Sequence, residues 1–310
     1  MTYTHFTDAA IERRSQWVSE IVKIVDEFGV DTKRVEGELR EELAQSGVSA
    51  LLDHLRLCGA IPEFYGHDTS EEKLYSKYTD ILLAEALRWL GLRAIVLTER
   101  AGTADVEAVT PEALATEYSL VADAKVFRLS RTAKNQKDFK VQAMDDWKHG
   151  KPYALVVSPL YQLPRRQSQI YQQAAARNVC LLSYAHLAVL VGIADQQGPE
   201  TAMVALDSVF RAVEVLSPSK DAIDYWTAVN RTMLGMDQAV HDLWKTEKLA
   251  TLESIEAAKE EGLTFLAAER EAILKLDHDQ ALQRLIEQSK IDSREAAIRS
   301  VGDNGLFDSQ

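Results

Sequence analysis

The chain has 310 residues, 46% hydrophobic and 27% charged, which is enough to bury a large core as one elaborated domain or two ordinary ones. No apolar run of signal-peptide or membrane-span length opens it, and its two cysteines, Cys58 and Cys180, lie far apart without metal-ligand spacing; a cytoplasmic protein with neither disulfides nor a zinc site is expected. The formal net charge of -13 argues against a polyanionic partner unless positive charge is concentrated locally, because distribution matters more than the sum at a screened contact.

In chain order, Asp8 to Leu90 carries apolar residues at helical spacing, with glycines at plausible helix ends (Gly29, Gly47, Gly59 and Gly91), and predicts three or four helices. The last opens at Ser70, with Glu71 and Glu72 at the positive end of its dipole. After Gly91, short β-branched or apolar runs predict strands at 93–97, 105–109, 120–127, 153–157 and 179–183. Helices are expected between them over 134–150 and 168–178, and another over 184–194. This order predicts a mixed α/β fold, a mixed central sheet flanked by helices. From Pro218 onward the chain is helical and acidic, and apolar residues recur every three or four positions between Leu252 and Lys290. Such a stripe usually packs on its own domain; its functional alternatives are a dimer interface or an arm along DNA. The expected division is an N-terminal helical region packed on the core (1–90), a catalytic core (91–195) and a C-terminal helical region for dimerisation or for embracing DNA (196–310), with a frayed tail.

The strand Leu120 to Phe127 embeds an acid and a base, Asp123 and Lys125, in an otherwise apolar run. Residues i and i+2 of a strand project from one face, and charges placed there are costly unless paired or bound to something charged. An isolated Asp-x-Lys is more often a surface ion pair on an edge strand. Asp105, at the head of the preceding strand, changes the balance: an antiparallel neighbour brings a second carboxylate to the same end of the sheet. Two carboxylates and the Ala124 backbone carbonyl make an oxygen-rich site suited to Mg2+. Lys125 adds positive charge where a scissile phosphate would lie, able to orient the attacking water and stabilise developing charge.

The pattern D…D-x-K resembles the PD-(D/E)XK nuclease core, a weak motif alone. LVADAKVFRLSRTAKNQKDFKVQAMDDW is far more specific: it is similar, nearly residue for residue, to the corresponding stretch of HindIII-type restriction endonucleases. The likeness extends through SEEKLYSKYTDILLAEAL upstream and YALVVSPLYQLPRRQSQIYQQ and NVCLLSYAHLAVLVG downstream, covering residues 70 to 195. It implies that Asp105, Asp123 and Lys125 are the catalytic set, with Asp105, Asp123 and Ala124 holding Mg2+, or Mn2+ as a substitute. The interval from Asp105 to Asp123 is a few residues longer than the family pattern, and Glu107 is the second choice for that carboxylate. Glu85, on the preceding helix, is a candidate accessory acid, set against an ordinary solvent-facing glutamate.

Behind the D-x-K strand lies the dense basic island of this acidic chain. Arg128, Arg131, Lys134, Lys137 and Lys140 are suited to phosphates, and Asn135 and Gln136 to adenine edges. Arg165, Arg166, Ser168 and Gln169 are secondary candidates. His186, in an apolar helix with no nucleophile motif nearby, reads as a structural histidine. Nucleotide-binding, zincin and hydrolase motifs are absent, so NTP-driven translocation is not encoded.

The resemblance implies a type II site-specific deoxyribonuclease that cuts double-stranded DNA at AAGCTT after the first A, leaving 5′-phosphates. It also implies a homodimer, since a palindrome matches two-fold symmetry, and a methyltransferase in the same cell to protect its own DNA. The alternatives are a repair or recombination nuclease without sequence preference and a catalytically silent DNA-binding or scaffold protein.

Overall fold

The computed structural model describes residues 3–25, 27–97, 102–112, 117–131, 135–219 and 221–300. Three helices open the chain: α1 (Asp8–Val22), α2 (Phe28–Leu57) and α3 (Ser70–Trp89). Gly47 breaks α2 with φ 66° and ψ -154°, which explains why the sequence reads equally well as three helices or four. Gly29 lies in the first turn of α2, at the start of a helix. Thr69, one residue before the expected start, caps α3 by accepting the Glu72 N–H. Most of α3 is buried, including Leu74, Tyr75 and the unbroken run Lys77 to Ala84, because it lies against the sheet on one side and other helices elsewhere. Gly91, at φ 95° and with an added Cβ 2.9 Å from the Pro199 Cβ, makes the tight turn from α3 into the sheet.

Five strands follow in spatial order of sequence: β1 (Arg93–Val96), β2 (Val106–Val109), β3 (Ser119–Ala124), β4 (Tyr153–Ser158) and β5 (Val179–Ser183). The first three pair antiparallel and the last three parallel, giving the expected mixed sheet flanked by helices. All of β4 and β5 is buried, as parallel strands covered on both faces require. The strand expected over 120–127 stops at Ala124, so Lys125 lies just past its end. The helix expected over 134–150 is interrupted: a 3-10 turn (Gln136–Phe139) meets α4 (Val141–Asp146) at Lys140, whose φ of 46° no α-helix accommodates. Helix α5 (Gln169–Ala176) completes the crossover to β5.

Helices α6 (Tyr184–Gln197), α7 (Pro199–Glu214), α8 (Ala222–Leu234) and α9 (Gln238–Leu274) follow. The chain divides into two compact units, residues 1–262 and 263–310. In the second, the end of α9 precedes α10 (His278–Gln288) and α11 (Ile291–Ser300). No residue of α10 is buried, and Leu263, Leu266, Ile273, Leu274, Leu282, Leu285 and Ile286 are exposed. Among the described residues no helix is long and apolar enough to cross a membrane.

His186 is held as the sequence suggests. Its Nε2 lies 3.1 Å from Asn230 Oδ1, its Nδ1 2.6 Å from Ser183 Oγ, and its ring stacks on Trp226. The Ser183 N–H also donates to Nδ1, closing a capping box at the start of α6. Burial lowers its pKa to about 4, partly resisted by the Asn230 contact. The folded form therefore cannot take the proton that the unfolded chain takes near 6.5. Stability from this group is complete above pH 6.5 and is lost as pH falls from there toward 4, on the order of 3 kcal/mol in all. Urea unfolding between pH 7.5 and 4.5 should lose less stability in His186→Gln, which keeps a capping-box side chain, than in wild type; equal losses would remove His186 as the cause.

Candidate active site

The centre of the site is Asp123, near the carboxyl end of β3, the middle strand of the sheet and not an edge. It is 1% exposed, which removes the surface ion-pair explanation. Continuing the β2–β3 register one step past Val106↔Ala122 sets Asp105 opposite Asp123. The Asp105 carbonyl accepts the Leu97 N–H at 2.8 Å, fixing the backbone there. Helix α3 adds a third carboxylate, that of buried Asp80. Oxygens of Asp80, Asp105 and Asp123 all lie within 4.8 Å of one another.

Two lysines meet these acids. Lys125 Nζ bonds Asp123 Oδ2, while Lys77 Nζ lies 3.1 Å from Asp105 Oδ1 and 3.5 Å from Asp80 Oδ2. Burial, and then the charges of Asp105 and Asp123, push the Asp80 carboxyl well above the usual range, against the pull of Lys77 and Lys125. Burial draws the Lys77 pKa down, but Asp80 and Asp105 outweigh it and leave it raised. The group opens into a cleft of about 290 Å3, whose walls include Lys73, Ser76, Ala124 and Lys140. Three converging carboxylates, with no sulfur or imidazole, form a donor set suited to a hard cation such as Mg2+ or Mn2+.

The backbone after Asp123 is firmly held. Lys125 N–H donates to the Val157 carbonyl at 2.7 Å, and Tyr184 Oη donates to the Lys125 carbonyl at 3.0 Å. Phe127 pairs with Ala60, and Tyr161 Oη donates to the carbonyls of both Gly59 and Phe127.

Asp105, Asp123 and Lys125 thus come together, and Ala124 lines the same cleft. Glu85 does not join them. Five residues beyond Asp80 on α3, it is turned about 140° around the helix and bonds Arg40 and Arg88. Glu107 pairs with Lys151 at 3.0 Å, also outside the acid group. Sequence reasoning missed Asp80 and Lys77. Nothing in the sequence separates them from ordinary charges on a helix face, since Ser76 and Thr79 also interrupt the apolar residues between Leu74 and Leu83.

The basic island divides. Arg128 bonds Glu72 and the carbonyls of Pro62, Glu63 and Gly66, so its guanidinium ties loops together. Arg131 pairs with Asp138 and lies over the Phe127 ring. Asn135 caps the 3-10 turn by accepting the Lys137 N–H. Gln136 and Lys137 are exposed, Lys140 faces the cleft, and Lys134 lies outside the described residues. Arg166 is paired with Asp221, and Ser168 caps α5. A larger hollow of about 520 Å3 among α1, α6 and α9 holds the ion pairs Arg14–Glu261 and Arg56–Glu247 and shares no lining residue with this cleft.

The type II restriction enzyme HindIII of Haemophilus influenzae is 38% identical to this chain over 198 residues, 64% of the chain and 63% of that enzyme, so the match spans just under two thirds of the relative. The family model described as HindIII restriction endonuclease matches residues 15–302. A match that starts within the first helix and continues past the last puts the chain in the HindIII restriction endonuclease family.

Proposed function

We propose that this protein is a type II site-specific deoxyribonuclease that hydrolyses double-stranded DNA with Mg2+, or with Mn2+ in its place. The observation that carries this reading is the convergence of Asp80, Asp105 and Asp123 with Lys125 at one end of the central strand, in a chain of this family. The three carboxylates are the residues to hold the cation, with the Ala124 carbonyl beside them. When bound, the cation supplies Lewis-acid polarisation of the scissile phosphate. Lys125 donates hydrogen bonds from a fixed backbone, orienting the attacking water and countering the charge that builds on the phosphoryl oxygens. Lys73 and Lys140, on the cleft walls, neutralise flanking phosphates, while exposed Gln136 and Lys137 reach toward DNA. Glu85 has no part in this scheme.

The proposed target is AAGCTT, cut after the first A to leave 5′-phosphates, by a homodimer that presents one site to each strand. The division into an N-terminal helical region (1–90), a catalytic core (91–195) and a C-terminal dimerisation region (196–310) goes with it. The exposed apolar side chains of α9 and α10 support the last of these. A cytoplasmic enzyme of this kind needs a methyltransferase partner in the same cell. Digestion of DNA of known sequence with Mg2+, followed by sequencing of the ends, tests the reading. Discrete fragments with A/AGCTT ends are expected. A smear would mark a nuclease without sequence preference, and intact DNA a silent binding protein.

A further inference from the structure

The D-x-K chemistry gives no task to Lys77. It is a lysine at 5% exposure on a helix whose neighbouring buried positions are mostly apolar, and a buried ammonium is kept only where something compensates for its lost water. What compensates is specific. Its Nζ lies between a carboxylate of α3 and one at the head of β2, 3.5 Å from Asp80 Oδ2 and 3.1 Å from Asp105 Oδ1. Lys125 takes the remaining acid, Asp123. The two lysines thus leave none of the three carboxylates without a cation. Acids this close otherwise repel one another and cannot all stay ionised.

We infer that Lys77 is a resident counter-cation: its ammonium holds Asp80 and Asp105 in place before the divalent ion arrives, and yields those carboxylates to the ion when it enters. Lys77 is then a positioning residue that sets how tightly the cleft takes its metal. This inference rests on the proposed reading of the cleft as the cation site. It has a direction that a merely structural lysine would not share, because removing a competitor tightens binding of the ion while loosening the metal-free protein.

The test is titration of Mg2+ into the full-length, DNA-free protein, followed by calorimetry and by thermal unfolding with and without EDTA. Lys77→Met, which keeps the length of the stem, is expected to bind Mg2+ at least fivefold more tightly than wild type. Its unfolding temperature should be lower in EDTA and should rise more on adding Mg2+. Lys77→Arg, which keeps the charge, should stay within twofold of wild type. Unchanged or weaker binding in Lys77→Met overturns the inference. Should that variant be unfolded in EDTA, recovery on adding Mg2+ supports it and failure to recover overturns it. Asp123→Asn separates the two levels. If Asp123→Asn binds Mg2+ as wild type does, the cleft is not the cation site and both readings fall. If its binding is lost while that of Lys77→Met is unchanged, only the role of Lys77 falls.

Discussion

Asp123→Asn is expected to slow DNA cleavage on the order of a thousandfold or more while leaving DNA affinity at or above the wild-type value. The side chain keeps its shape, so the buried end of β3 has no reason to unfold, but the charge that Lys125 and the proposed metal share is gone. Binding moves the other way because a negative charge has been removed from a cleft that faces a polyanion. Cleavage rates in Mg2+ and gel-shift affinities in EDTA measure the two separately. A variant that cuts at the wild-type rate would remove Asp123 from the active site.

Arg14→Met is expected to destabilise the fold by about 2–4 kcal/mol, mainly by removing the donor from buried acceptors, since its ion-pair partner Glu261 is itself partly exposed. The Arg14 guanidinium, mostly buried, donates twice to Glu261, and also to the Leu57 carbonyl, the Ala60 carbonyl and Tyr75 Oη. It thereby joins α1, the end of α2, α3 and α9. Methionine keeps much of the stem and removes all five bonds, so the loss reports on the polar network. Tyr75 lies two residues before Lys77, and loosening it also loosens the helix that carries Asp80. The urea midpoint should fall by about 1 M or more. A change within experimental error would mean that neighbouring groups or water replace the network without loss.

The sheet was legible in the sequence because buried strands are short, β-branched and bounded by turns, as Tyr153 to Val157 and Val179 to Ser183 illustrate. Asp123 and Lys125 stood out because charge in an apolar strand is costly. Asp80 and Lys77 carry the same cost, but a helix hides it: charged residues are ordinary on one face of a helix, and only the packing of α3 reveals that this one has almost no exposed face. Glu85 offers a carboxylate in the sequence, but the rotation of the helix turns it away from the acid group toward Arg40 and Arg88. The break at Lys140 could not be read from sequence, since a lysine with positive φ leaves no mark in composition. Nor could the division of the basic island, because partners such as Glu72 for Arg128 lie distant in the chain.

The ties made by Arg128 and the burial of Phe139 have a consequence for how new specificities arise. They hold the chain on either side of Gln136 and Lys137. On the proposed reading, substitutions at exposed Gln136 and Lys137 should change recognition while leaving the geometry of Asp123 and Lys125 in place.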